Sequence, residues 1–197
     1  MTEQRRATRL PVVPGDVVRV AALVSVVVAA FVLGGVGVAL FLLVLGGVMV
    51  PRVLPVPAAL DVAYGLALLV AAWAAQLGWY QVVPWLDLVV HAVCTGLIAV
   101  LAYILLEHAG MAPRGPGGAG DRSRRDLAAV VVATTGLGAV AAILWEIGEW
   151  AGNAYLNPDI GVGYTDTIGD LAWALVGAVV AGAALAGSRR SGRGDSP

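Results

Sequence analysis

Lysine is absent from this chain of 197 residues, so all twelve basic side chains are arginine. Charge of either sign is scarce at 13%, where a soluble domain is usually about a quarter charged. There is one cysteine, Cys94, in an apolar run. One thiol makes neither an internal disulfide nor a thiolate metal cluster, and Cys94 reads as a small buried hydrophobe. The zinc motif HExxH is missing too. The basic N-terminal stretch MTEQRRATRLPVVPGD has no small-residue cleavage site after a short apolar core, so it reads as a retained tail rather than a signal peptide.

What is present is apolar: 59% of residues are hydrophobic and the mean hydropathy is +0.87. Long apolar runs with so little charge place the chain among membrane proteins. The richness in Ala, Val and Gly, with arginine as the sole basic residue, points to a GC-rich bacterial genome and hence to a bacterial plasma membrane.

A span needs about 20 mostly apolar residues at about 1.5 Å rise each. Four runs qualify at once: 58–77, 86–106, 127–150 and 167–187. The stretch 18–50 is long for one helix and short for two, with GGVG at 34–37 as a candidate turn. Short cytoplasmic loops are enriched in arginine. If 18–50 holds two spans, all twelve arginines fall on one side; if it holds one, the four nearest the N-terminus lie opposite the rest. The expectation is an all-α bundle of six transmembrane helices over 18–187, with both termini cytoplasmic. A cytoplasmic tail covers 1–17, a Gly-, Pro- and Arg-rich cytoplasmic loop 109–126, an outer loop 151–165, and a disordered tail 188–197. Neither the loop nor the tail shows a nucleic-acid motif.

With that topology three helices carry acids to the outer face. The fourth span begins PWLDLVVH, with Asp87 in its first turn and His91 one turn deeper on the same face. The fifth leaves through WEIGEW, with Glu146 about one turn below Glu149. The sixth returns through YTDTIGD, with Asp166 at the boundary and Asp170 one turn in. His91, Glu146 and Asp170 form an inner tier roughly 6 Å below Asp87, Glu149 and Asp166. Asp61, Glu107 and His108 are scattered near helix ends on the other side, where an interfacial role suffices.

Bland roles compete for several of these groups. Asp87 suits the positive end of a helix dipole, Thr167 and Asp170 fit a capping box with Asp166 as an alternative cap, and His91 can pair with Asp87. The glutamates resist such roles. They sit at a helix C-terminus, where negative charge costs about 0.3–1 kcal/mol each, and they repel one another. An unpaired Glu146 below the interface adds a cost of up to about 2–3 kcal/mol at a helix centre. A proton, a cation or donors such as His91 must offset this. The aromatics Trp79, Tyr80, Trp85, Trp145, Trp150, Tyr155 and Tyr164 fall at the same boundary, as an interfacial belt does. Gly136, Gly138, Gly177 and Gly182 offer small faces for close helix packing.

PWLDLVVH, then WEIGEW, then YTDTIGDLAWALVGAVV resembles the YjdF-type bacterial membrane proteins, a family of unknown function, over residues 58 to 187. The resemblance implies a multi-pass plasma-membrane protein and marks Asp87, His91, Glu146, Glu149, Asp166 and Asp170. A looser likeness links the chain to VanZ-like proteins, associated with glycopeptide resistance; here Leu88 stands in place of their usual lysine, Glu149 of a glutamine and Ala174 of an asparagine.

Three functions are open. The first is a site for an envelope lipid or lipid-linked substrate, with His91, Glu146, Glu149 and Asp170 as candidate catalytic or metal-holding groups and Asp87 and Asp166 as an outer tier. One imidazole with carboxylates suits a divalent metal: zinc or manganese with nitrogen and oxygen donors, magnesium or calcium with mostly oxygen. The second is a proton-coupled or small-solute transporter, although the span centres 92–105, 130–144 and 171–185 carry no charged residue. The third is an accessory protein whose acids only fix helix packing. The lipid bilayer is the partner in all three.

Overall fold

The computed structural model describes residues 11–112 and 121–191, the side chains of 121–123 and 191 excepted. The first ten residues of the expected tail 1–17, the segment 113–120 of the expected loop 109–126, and 192–197 of the expected tail 188–197 lie outside the described residues. Seven α-helices are described: α1 Gly15–Val32, α2 Gly34–Met49, α3 Ala58–Gln76, the short α4 Trp79–Val82, α5 Pro84–His108, α6 Asp121–Tyr155 and α7 Tyr164–Ser191. All except α4 are long and apolar enough to cross a membrane, α2 together with the 3-10 turn that extends it to Val53, and there is no strand among the described residues.

The ambiguous stretch 18–50 holds two helices. α1 ends at Val32, and the chain reverses at Gly34, whose φ of +69° is left-handed and strains any residue with a Cβ. Arg19 near the start of α1 then donates from Nε to the Val48 carbonyl at the end of α2, 3.0 Å away. Val18, Ala22 and Ala29 of α1 pack on Phe41, Val44 and Val48 of α2 and on Leu69 and Ala72 of α3. The Phe41 and Trp73 rings meet at a tilt of 49° with centroids 4.8 Å apart, and the Trp73 indole donates to Ser25 Oγ at 3.1 Å. Pro84 opens α5 at a position where its missing N–H is no loss.

The helices sort into two groups, α1–α3 and α5–α7, joined through α3 against α5. The second group is drawn together by small residues. A Cβ on Gly177 of α7 would collide with the backbone of Ala92 in α5, and one on Gly96 would lie 2.8 Å from the Gly177 carbonyl oxygen. Gly138 faces Ala178, Ala99 and Thr95, while Gly182 faces Thr134 and Val131. Such close backbone approach gives dispersion contacts between helices that have no water to expel. Gly136 does not share this role: a methyl there would have nothing within 4 Å, so the residue points away from the bundle.

Helix bounds also differ from the hydropathy limits. α6 has 35 residues, about 52 Å at 1.5 Å each, against a hydrocarbon core of about 30 Å. It begins inside the expected loop 109–126 and ends at Tyr155 inside the expected outer loop 151–165. α7 runs to Ser191, beyond the expected limit of 187. Arg and Ala are good helix formers whatever solvent surrounds them, so helix continues where hydropathy falls.

The bundle end opposite the acid tiers is not a scatter of interfacial charges. Arg19 and Asp61 are each 7% exposed, and Arg19 Nη2 lies 2.7 Å from Asp61 Oδ1 while Nη1 reaches Asp16 at 3.0 Å. Arg189 forms a two-pronged pair with Glu107 and lies over the Tyr103 ring at 5.1 Å. The legible sign of the first pair is a charge one turn inside an apolar span, matched by an opposite charge near the start of another.

Candidate functional site

At the other end, α5 begins, α6 ends and α7 begins. Pro84 sets the start of α5, which places Asp87 in its first turn and His91 one turn below. The seam at Ala92 and Gly177 lies next to His91 and about two turns below Asp170, so it fixes how near α5 and α7 come at the site.

His91 is the centre, 8% exposed. Its Nε2 lies 3.5 Å from Asp87 Oδ1 and 3.8 Å from Asp170 Oδ1, and its Nδ1 lies 3.9 Å from Glu146 Oε1. Glu149 joins Glu146 and His91 in a set whose ligand atoms all lie within 4.8 Å, and Asp87, His91 and Asp170 form a second such set. The imidazole thus belongs to both triads, with one ring nitrogen turned to each. Separations of 3.5–3.9 Å exceed a nitrogen–oxygen hydrogen bond. Two ligands each about 2.0–2.2 Å from a shared zinc lie roughly 3–4 Å apart.

Two carboxylate oxygens in this group are orphaned. Asp170 Oδ1 and Glu146 Oε1 are buried and accept no hydrogen bond from the described residues. The Asp170 side chain is 3% exposed and that of Glu146 10%. These are the same two atoms that face the two nitrogens of His91. Buried polar atoms in native structures nearly always have a partner.

The five acids and one histidine expected at this end do not all meet. His91, Glu146, Glu149, Asp170 and Asp87 converge. Asp166 is exposed and belongs to neither triad. The capping alternative for Thr167 and Asp170 does not hold, since α7 starts at Tyr164 and the Thr167 N–H already bonds to the Gly163 carbonyl at 2.9 Å. Of the boundary aromatics, Trp79, Trp85, Trp145, Trp150, Tyr155 and Tyr164 are exposed. Tyr80 turns inward and donates to the Ala71 carbonyl at 3.0 Å. Burial pushes its phenol above the ordinary value, so it keeps its proton. Asn153, one turn past Glu149, donates to the carbonyls of Pro158 and Ile160 at 3.1 and 2.6 Å and pins the connection to α7.

Sequence reasoning missed a cavity of about 410 Å³ that reaches this cluster. Asp87, His91, Glu149 and Tyr80 line its polar end; Leu40, Leu68, Ala72 and Ile98 are among the apolar residues lining the rest. It lies between the two helix groups, and no single helix pattern encodes such a space.

Six apolar helices, many large aliphatics turned outward and charged groups gathered near the two ends define a multi-pass membrane protein. The chain belongs to the family described as "Predicted membrane protein (DUF2238)", whose model matches residues 16–191. No curated protein and no solved structure matches it.

Proposed function

We propose that this is a protein of the bacterial plasma membrane whose site end faces outward and holds a divalent cation between α5, α6 and α7. Arginine distribution supports the orientation: Arg19, Arg52 and Arg189 all belong to the opposite end of the bundle, and arginine marks the cytoplasmic side. The observation that carries the cation is the pair of orphaned oxygens, Glu146 Oε1 and Asp170 Oδ1, aimed at the two nitrogens of one buried imidazole.

In this reading His91 Nδ1, Glu146 and Glu149 hold the ion. Nε2–H then faces the carboxylates of Asp87 and Asp170 at 3.5 and 3.8 Å, whose negative charge favours a more basic ring, the role carboxylates commonly take beside metal-bound histidines. A nitrogen with two oxygens suits zinc or manganese better than calcium. The ion also accounts for two glutamates at the negative end of a helix dipole, since its charge outweighs the dipole's partial charge.

The test is elemental analysis of purified protein beside Glu146→Gln and Glu149→Gln. One equivalent of zinc or manganese in the wild type, lost in both variants, supports the reading. A metal-free wild type that also takes up none on dialysis against either ion overturns it.

A further inference from the structure

The cavity extends from the proposed cation site into the apolar middle of the bundle. Along α5 it is lined from Asp87 to Ile98, eleven steps of the helix or about 16 Å. Its volume of about 410 Å³ lies within the range of about 300–1,000 Å³ that small-molecule sites occupy. Its charged side chains and imidazole, Asp87, His91 and Glu149, are gathered at one end, with only the hydroxyls of Thr95 and Tyr64 along the apolar remainder, a distribution that matches an amphiphile. Its walls come from α2, α3, α5 and α6, yet α2 and α6 are not packed against one another. Leu43 and Leu144 line the cavity from those two helices while remaining 62% and 63% exposed. The cavity therefore opens sideways, toward hydrocarbon, between α2 and α6.

We propose that the cavity takes the hydrocarbon chain of a phosphate-headed membrane amphiphile, admitted between α2 and α6, with its phosphate against the cation held by His91, Glu146 and Glu149. The proposal rests on the cation reading. Among the described residues no arginine lines the cavity, and carboxylates alone repel phosphate. A divalent ion with three protein ligands keeps positions free for phosphate oxygens, as protein-bound divalent ions often do. The chain end needs no further device, because an apolar cavity excludes water and gains by filling with methylenes. Phospholipids and polyprenyl phosphates share this chemistry.

The experiment uses the full chain in nanodiscs with three photoactivatable probes carrying a diazirine in the chain: a phosphatidic acid, a farnesyl phosphate and a diacylglycerol without phosphate. Adducts are mapped by peptide mass spectrometry, and metal is measured on the same samples. Adducts on the cavity walls of α2, α3 and α5 are expected from a phosphate probe and not from the diacylglycerol. The stronger of the two phosphate probes identifies the source. Leu68→Trp and Ala141→Leu, which narrow the cavity from different helices, should each reduce wall adducts by about tenfold, the loss of burying roughly two methylenes, with metal content retained. Glu146→Gln should lose both metal and wall adducts. Adducts confined to outward residues such as Val24 and Val180, with metal still bound, overturn the chain site and leave the cation reading standing. Equal wall labelling by the diacylglycerol, or labelling that survives metal removal, overturns the phosphate–cation contact.

Discussion

His91 Nδ1 and Glu146 Oε1 stand 3.9 Å apart across the boundary between α5 and α6, and the glutamate oxygen has no hydrogen-bond partner among the described residues. This spacing is too long for a hydrogen bond, yet it brings a carboxylate to within ion-pair reach of the imidazole. It makes the stability of the bundle depend on what lies between them. A ligand bound only by the folded state stabilises it by about 2.7 kcal/mol at a hundred times its dissociation constant. Chelator should therefore lower the melting temperature of the wild type in detergent. Glu146→Gln should melt no lower than the chelated wild type, because the amide removes one of four crowded carboxylates. Melting curves with and without excess zinc or manganese test this; a wild-type curve unmoved by chelator contradicts it.

The buried pair of Arg19 and Asp61 makes a different prediction. Both residues are 7% exposed, and the guanidinium also serves the Val48 carbonyl and Asp16. Asp61→Leu leaves that charge without its closest partner and should cost about 3–5 kcal/mol. Adding Arg19→Met should recover much of the loss, since apolar replacement of a whole buried pair is often neutral or better. Detergent unfolding of the two variants separates the outcomes: a single-variant loss below about 1 kcal/mol, the scale of exposed pairs, would mean the pair is effectively solvated.

How far these features were legible follows from what each depends on. Hydropathy and span length set the six apolar helices, and the left-handed Gly34 is the turn that GGVG suggested. That His91, Glu146 and Asp170 come to one level agrees with helix rise, whereas Glu149, expected one tier above, shares a triad with His91 and Glu146. Rotation about each helix axis does not follow from rise. Asp166 and Asp170 are one turn apart on α7, yet only Asp170 is covered, and spacing along α7 does not report what the neighbouring helices cover. The Arg19–Asp61 pair depends on how α1 packs against α3, and the cavity on how α2, α3 and α6 sit around α5; side-chain spacing within one helix carries no record of either.

The glycine seam gives a paired prediction. A methyl at Gly177 meets the Ala92 backbone, which cannot rotate aside, so α5 and α7 must part. Overpacking of this kind typically costs about 1–3 kcal/mol. Because Ala92 adjoins His91, Gly177→Ala should also weaken metal retention. Gly136→Ala meets nothing within 4 Å and should be neutral or stabilising by up to about 1 kcal/mol, the helix-propensity difference. Unfolding and metal content of the two variants are the measurements. Equal behaviour would place the α5–α7 contact elsewhere.

Orientation in the membrane is open to direct chemical test. Leu156, just past α6, is 68% exposed, and Met111, past α5 at the opposite end, is 71% exposed. In a Cys94→Ala background, Leu156→Cys should react with a membrane-impermeant maleimide added to intact spheroplasts. Met111→Cys should react only after the membrane is opened. The arginine-rich end would then be cytoplasmic, and the His91 cluster would meet ligands arriving from outside. The reverse pattern would turn the site toward the cytoplasm. It would leave the geometry of His91, Glu146 and Glu149 unchanged, but any amphiphile in the cavity would have to come from the inner leaflet.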